Sequence, residues 1–226
     1  MRIRKGGMLG GSPVPGRFRL FLVRHGHLEN SEKGAINGQT DVHLSPLGQF
    51  QMERRAESLQ EVPVTLLFSS NLSRTRESLA PIAESRAPLK PVEIPGFRER
   101  SFGEWEGKSR EEIARQDPRG YARWQALDTG FIPSGGESLR SFRERVLETF
   151  RDLLRKTGHG HNAVLVAHSG VNRILLLDAL GMDLSLYFRL TQGYGALNII
   201  DYTEGGDPAV LLMNNLPEDP GNADER

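Results

Sequence analysis

The sequence predicts an α/β domain with helices on both faces of a largely parallel sheet. Short runs that are apolar on both faces recur along the chain, as strands covered on both sides require. Amphipathic helical patterns separate those runs, and such alternation builds parallel sheets. At 226 residues a domain buries about 70% of its unfolded surface, so the core needs no staples.

The opening segment, MRIRKGGMLGGSPVPG, is basic and glycine-rich and lacks the apolar stretch of a secretory signal. Residues 1–16 therefore read as a mobile leader. Phe18 to Val23 is the first strand. Ser45 followed by Pro46 is a cap with proline at the first helical position, opening a helix towards Gln60. Leu66 to Phe68 is the second strand, and a helix kinked at Pro81 follows from Ser73 to Ser85. The stretch from Pro95 to Gly136 breaks this rhythm. It is rich in aromatic and charged residues, holds both tryptophans, and reads as a partly helical excursion over the site. In the helix from Ser138 to Lys156, Leu139, Phe142, Val146, Phe150 and Leu153 form one stripe, and Gly158 is the stop. Ala163 to Ala167 is a strand, Val171 to Leu180 a helix stopped by Gly181, and Leu197 to Ile200 and Val210 to Met213 are the closing strands. The polar tail 217–226 reads as frayed, and residues 17–216 form one domain.

Composition excludes several classes of function. The 29 basic and 29 acidic residues balance, which argues against a broad nucleic-acid-binding surface. Without cysteine there are no disulfides, thiolate metal sites or cysteine nucleophiles. No apolar run approaches the roughly 18 residues of a membrane helix. A cytoplasmic enzyme acting on a small molecule fits, with a homodimer left open.

In open α/β sheets, ligands bind beyond the carboxyl ends of the strands. Arg24-His25-Gly26 follows the first strand, Ser69-Ser70-Asn71-Leu72-Ser73-Arg74 the second, and His168-Ser169-Gly170 the strand ending at Ala167. The last of these opens a helix, whose outward N–H groups favour an anion. Each residue alone reads as a turn, a cap or surface. Together they bring two histidines and two arginines to one rim, a donor set suited to a phosphoryl dianion.

Three rival chemistries fare worse. His25-Gly26-His27 could offer two metal ligands, but of the later strand ends only His168 adds another. Ala167-His168-Ser169-Gly170-Val171 resembles a nucleophile elbow, yet it lacks the flanking glycines, and no histidine follows the serine to act as base. GEWEGKS, from Gly103 to Ser109, is one residue short of a P-loop and follows no clear strand.

Read in order, LVRHG, GQTDVHLSPLG, SSNLSRTRES, RERSFGEWEG, PSGGES and VLVAHSGVNRILL resemble the histidine phosphatase superfamily, the phosphoglycerate-mutase-like group. The resemblance runs from Phe18 to Leu177. It implies a three-layer α/β/α sandwich and catalysis without metal or cofactor. It makes His25 the nucleophile that becomes phosphohistidine, with Arg24 and Arg74 clamping the phosphoryl oxygens and His168 completing the pocket as the second catalytic histidine. Glu99 lies where the family places its proton donor, and Ser169 and Gly170 offer backbone amides to the phosphoryl group. Gly26 allows a tight turn and offers a carbonyl to the nucleophile. One departure stands out. The family commonly reads RHGE and then serine or threonine, whereas His27 and Leu28 stand here and Asn30 falls one residue early. Gln39 or Thr40 then reaches the substrate instead, and Trp105, Tyr121, Trp124 and Phe131 shape its pocket. The segment FGEWEG is typical of the phosphatase branch that includes α-ribazole phosphatases. The resulting expectation is a phosphomonoesterase acting on a small phosphorylated metabolite. The alternatives are a bisphosphoglycerate-dependent mutase and a non-catalytic phosphate-binding member.

Overall fold

The run RFRLFLVR forms β1 (Arg17–Arg24), whose six interior residues are all buried. The structure, a computed structural model describing Gly7 and residues 9–218, places β1 inside a six-stranded sheet. The other strands are β2 (Leu66–Ser69), β3 (Val92–Glu93), β4 (His161–Ala167), β5 (Leu197–Thr203) and β6 (Ala209–Asn215), in the order β3-β2-β4-β1-β5-β6. β3, β2, β4 and β1 pair in parallel, while β5 is antiparallel to both β1 and β6. Every strand but β5 thus runs the same way. Strand β3 escapes a reading of periodicity, because its two exposed residues carry no apolar pattern.

The helices are α1 (Pro46–Leu59), α2 (Ser73–Glu84), α3 (Arg110–Gln116), α4 (Pro118–Gln125), α5 (Leu139–Thr157) and α6 (Ser169–Ala179). Because side chains alternate across a strand, β1 feeds two cores. Phe18, Leu20 and Leu22 enter the one that contains the apolar stripes of α5 and α6. Phe21 and Val23 enter the one that contains residues of α1 and α2. This is the three-layer α/β/α sandwich. Ser45 caps α1 by accepting from the Gly48 N–H, and Ser138 caps α5 by accepting from the Ser141 N–H. Helix α2 continues through Pro81, with Leu79 and Ile82 buried on either side of it. The excursion has a small core of its own, made by Trp105, Ile113 and Phe131.

Two charged or polar groups in the sheet need partners that the chain supplies locally. Arg19, buried in β1, is met by both carboxylate oxygens of Asp201 at 2.6 and 2.7 Å. It also donates to the carbonyl of Leu9 at 2.9 Å, and Asn162 donates to the carbonyl of Gly11 at 2.9 Å. Those bonds hold part of the segment that reads as a mobile leader against the sheet. Residues 1–6 and 8 of that leader, and 219–226 of the tail, lie outside the described residues. Among the described residues no helix is long and apolar enough to cross a membrane.

The cap of α5 gives a direct test of this architecture. Replacing Ser138 by alanine should lower stability by about 1 kcal/mol, read from the denaturant midpoint at unchanged slope. An unchanged midpoint would mean that the cap does not hold α5.

Candidate active site

The register of the sheet assembles the site. Arg24 lies opposite Ala167, and Ser69 opposite Val166, so β1, β4 and β2 end side by side. The ladder then continues one residue further. The His25 N–H donates to the Ala167 carbonyl at 3.0 Å, and that of Ser70 to the Val166 carbonyl at 3.3 Å. His25 and His168 consequently face each other with ring centroids 5.3 Å apart.

His25 lines a cavity of about 250 Å³ yet is only 5% exposed. Its Nδ1 lies 2.8 Å from the Gly26 carbonyl, so Nδ1 carries the proton and donates it. Nε2 is left with the free lone pair. Burial, followed by the charges of Arg24 and Arg74, holds its pKa well below the ordinary histidine value. Gly26 supplies that carbonyl as expected, but its small size answers a different need from the tight turn read in the sequence. A Cβ there would lie 2.4 Å from the carbonyl oxygen of Gly48, in the first turn of α1. Close packing of two backbones requires the glycine.

Both arginines are held by carbonyl groups. Arg24 donates from Nη1 to the Gln192 carbonyl at 2.5 Å and lies 3.9 Å over the ring of Tyr194, while its buried Nε has no hydrogen-bond partner among the described residues. Arg74 donates to the carbonyls of Gly38 and Thr40 at 2.6 and 2.7 Å. Its Nε donates to Nδ1 of His168 at 3.3 Å. His168 therefore carries its proton on Nε2, which lies 2.8 Å from the Ser70 hydroxyl. Both nitrogens are engaged, the side chain is fully buried, and it stands behind the cavity wall. In this arrangement His168 orients Arg74 rather than reaching into the pocket. Its pKa too is pushed well down, first by burial and then by Arg74.

Among the described residues Glu99 is the one carboxylate that lines the cavity. Its oxygens accept from the Arg100 N–H at 2.8 Å and the Gly170 N–H at 2.9 Å. The Gly170 amide is thus committed to Glu99 instead of to an incoming anion. A Cβ at Gly170 would lie 2.1 Å from Oε1 of Glu99, so the glycine makes room for the carboxylate. Ser169 lines the cavity beside it. Arg145 of α5 fixes this segment by donating to the carbonyls of Gly96, Arg98 and Glu99. Glu106, a second acid of the excursion, accepts from the N–H groups of Gln39 and Phe102 and the hydroxyl of Thr40. It is a staple for the loop.

Of the residues read as shaping the substrate pocket, Trp124 lines the cavity, whereas Gln39, Thr40, Trp105, Tyr121 and Phe131 sit behind the wall. Gln39 donates to the Glu99 carbonyl at 3.1 Å, and Thr40 offers its carbonyl to Arg74, so both act on the site through catalytic candidates. Trp105 belongs to the core of the excursion, and Phe102 joins Trp124 on the cavity wall. His27, standing where the family has an acid, bonds the cap residue Ser45 at 2.8 Å and meets the Tyr194 ring at 5.2 Å. Asn30 pairs with Asn37. Tyr194 is the main residue that sequence reasoning missed, because it lies in a loop with no motif around it.

Both histidines have folded pKa values below their unfolded value of about 6.5. Below about pH 6.5 the unfolded chain therefore binds more protons, so this stability is present above that pH and is lost as pH falls. The denaturant midpoint should drop on acidification from about pH 7 to about pH 5, and His25→Asn should flatten the slope. Equal slopes in the two proteins would show that His25 is not held neutral.

Comparison with known proteins identifies the family and the fold. Residues 20–216 match the family model for the histidine phosphatase superfamily, branch 1. The chain is 28% identical over 187 residues to the adenosylcobalamin/alpha-ribazole phosphatase of Salmonella typhimurium, covering 83% of this chain and 92% of that one. It is 29% identical over 185 residues to a metal-independent phosphoserine phosphatase of Arabidopsis thaliana, covering 80% and 72%. The crystal structure of a phosphoserine phosphatase from Entamoeba histolytica, in complex with 3-phosphoglyceric acid, superposes with a TM-score of 0.77 at 26% identity, covering 88% of this chain and 97% of that one. With the family model matched over most of its length and the same fold in solved relatives, the chain belongs to the histidine phosphatase superfamily, branch 1, and is an enzyme of its phosphatase class.

Proposed function

We propose that the protein hydrolyses a small phosphate monoester through a phosphohistidine on Nε2 of His25. One observation carries the reading: a neutral imidazole, its Nδ1 N–H donating to the Gly26 carbonyl, lies beside two guanidinium groups that are hydrogen-bonded to carbonyls and, among the described residues, ion-paired to no carboxylate. Phosphoryl transfer is mostly positioning and charge stabilisation, so cationic donors in a dry site serve it directly. Arg24 has its buried Nε unspent. Arg74 has used three of the five donors of a guanidinium. Both can meet the equatorial oxygens of the transferring group.

In the first step Nε2 attacks phosphorus, and the P–O bond to the alcohol breaks. Glu99 gives its proton to the leaving oxygen, a contribution worth roughly 10²–10⁴-fold in rate. In the second step the Glu99 carboxylate takes a proton from water, which attacks the phosphohistidine and releases phosphate. Glu99 suits both tasks because two backbone amides fix it at the cavity wall.

Labelled phosphate ester, mixed with enzyme and quenched, should leave acid-labile, base-stable label on the protein. His25→Ala should abolish both label and turnover. Glu99→Gln should slow turnover by roughly 10²–10⁴-fold. Unchanged turnover in His25→Ala would overturn the mechanism, and isomerised phosphoglycerate in place of free phosphate would identify a mutase.

A further inference from the structure

Of the two arginines that proposed hydrolysis uses, Arg24 has the lighter anchorage. Arg74 is fixed at three donors, to two carbonyls and to His168, whereas Arg24 is tethered from Nη1 to the Gln192 carbonyl at 2.5 Å. A tether at one corner of a planar group leaves its plane free to swing. The ring of Tyr194 supplies the missing restraint. The guanidinium carbon of Arg24 stands 3.9 Å over the centroid of that ring, and a cation so close to an aromatic face is both attracted and confined.

Tyr194 is itself pinned. Its hydroxyl bonds that of Ser31 at 3.0 Å, and the Ser31 hydroxyl also accepts from the Leu28 N–H at 3.2 Å. His27 meets the ring edge to face at 5.2 Å. The loop that carries the tyrosine is braced on either side of it. The Gly193 N–H donates to Oδ1 of Asn214 at 2.8 Å, and the Gly195 N–H to the His25 carbonyl at 3.1 Å. Arg55 of α1, a buried cation that hydrolysis does not use, grips the same loop. Its Nε donates to the Gly195 carbonyl at 3.0 Å and its Nη2 to the Asn215 carbonyl at 2.6 Å. Burying that charge is costly, and here it ties the loop to the end of β6. Tyr194 also packs against the core of α1 and α2, a task that any large apolar side chain could fill. Standing under a cation requires an aromatic face.

We propose that Tyr194 is a positioning residue for phosphoryl transfer: its ring, held by Ser31 and His27, fixes the Arg24 guanidinium so that the donors not spent on Gln192 meet the phosphoryl oxygens. This deepens the phosphatase reading above and rests on it. An aromatic face restrains the arginine without bringing an anion to it, so the charge stays whole for the substrate.

Calorimetric titration with orthophosphate and turnover of p-nitrophenyl phosphate test this together. Tyr194→Phe keeps the ring and loses the Ser31 bond, whereas Tyr194→Leu keeps apolar bulk and loses the ring. The Phe variant should stay within about threefold of the wild type in Kd and kcat/KM, and the Leu variant should lose about tenfold in each. Beside Arg24→Gln, adding Tyr194→Leu should change the orthophosphate Kd by less than about twofold, because the ring then has no cation to hold. Where Tyr194→Leu shows no cooperative denaturant transition, Tyr194→Met takes its place. An unchanged Kd on loss of the ring, an equal loss in the Phe variant, or a loss that persists beside Arg24→Gln would overturn the proposal. No phosphate released by the wild type would sink the phosphatase reading, while the orthophosphate Kd values still decide whether Tyr194 holds Arg24.

Discussion

A neutral imidazole held beside two guanidinium groups is the constraint to which the rest of this structure answers. Histidine in water is half-charged near neutral pH. Beside Arg24 and Arg74, and almost wholly out of solvent, His25 gains nothing from a second proton. One backbone carbonyl, that of Gly26, then decides which nitrogen keeps the proton it has. The glycine must be there because its own backbone packs against Gly48 at the start of α1. Sheet register, helix packing and tautomer are thus one problem with one solution.

The way the arginines are held follows from the same constraint. A carboxylate partner would satisfy a guanidinium and cancel its charge together. Carbonyl oxygens satisfy the donors and leave the charge in place, which is costly in an empty site and favourable once an anion enters. Arg24 rests on the Gln192 carbonyl and the face of Tyr194, and Arg74 on two carbonyls and the neutral His168. The Gln192 carbonyl is in turn fixed by a buried network in which the Gln192 and Asn198 amides exchange bonds at 2.8 and 2.9 Å. Arg145 performs a similar service for Glu99 from below, through three backbone carbonyls.

Much of this was legible in the sequence, and what was not has physical reasons. The apolar runs and the stripe of α5 disclosed the layers, since burial on both faces of a sheet leaves a mark in composition. The strand-end position of Arg24, His25, Arg74 and His168 disclosed the rim. Direction of approach was hidden: Gly170 and His168 lie at the expected place, yet the Gly170 amide turns to Glu99 and the His168 ring to Ser70 and Arg74. Only hydrogen-bond geometry reveals such choices. Tyr194 and Arg110 come from segments far apart in the chain, and no local pattern announces that they share a cavity. Trp105 and Trp124 were interchangeable on paper, and the packing of Trp105 against Phe131, at 5.4 Å between centroids, assigns it to the core.

The state of the His25 ring is therefore the quantity most worth measuring. Nitrogen-15 NMR of the imidazole, followed across acid to neutral pH, reports both charge and tautomer. A neutral ring protonated at Nδ1, persisting well below the ordinary histidine pKa of about 6.5, is the predicted result. An imidazolium at neutral pH, or a proton on Nε2, would contradict the account.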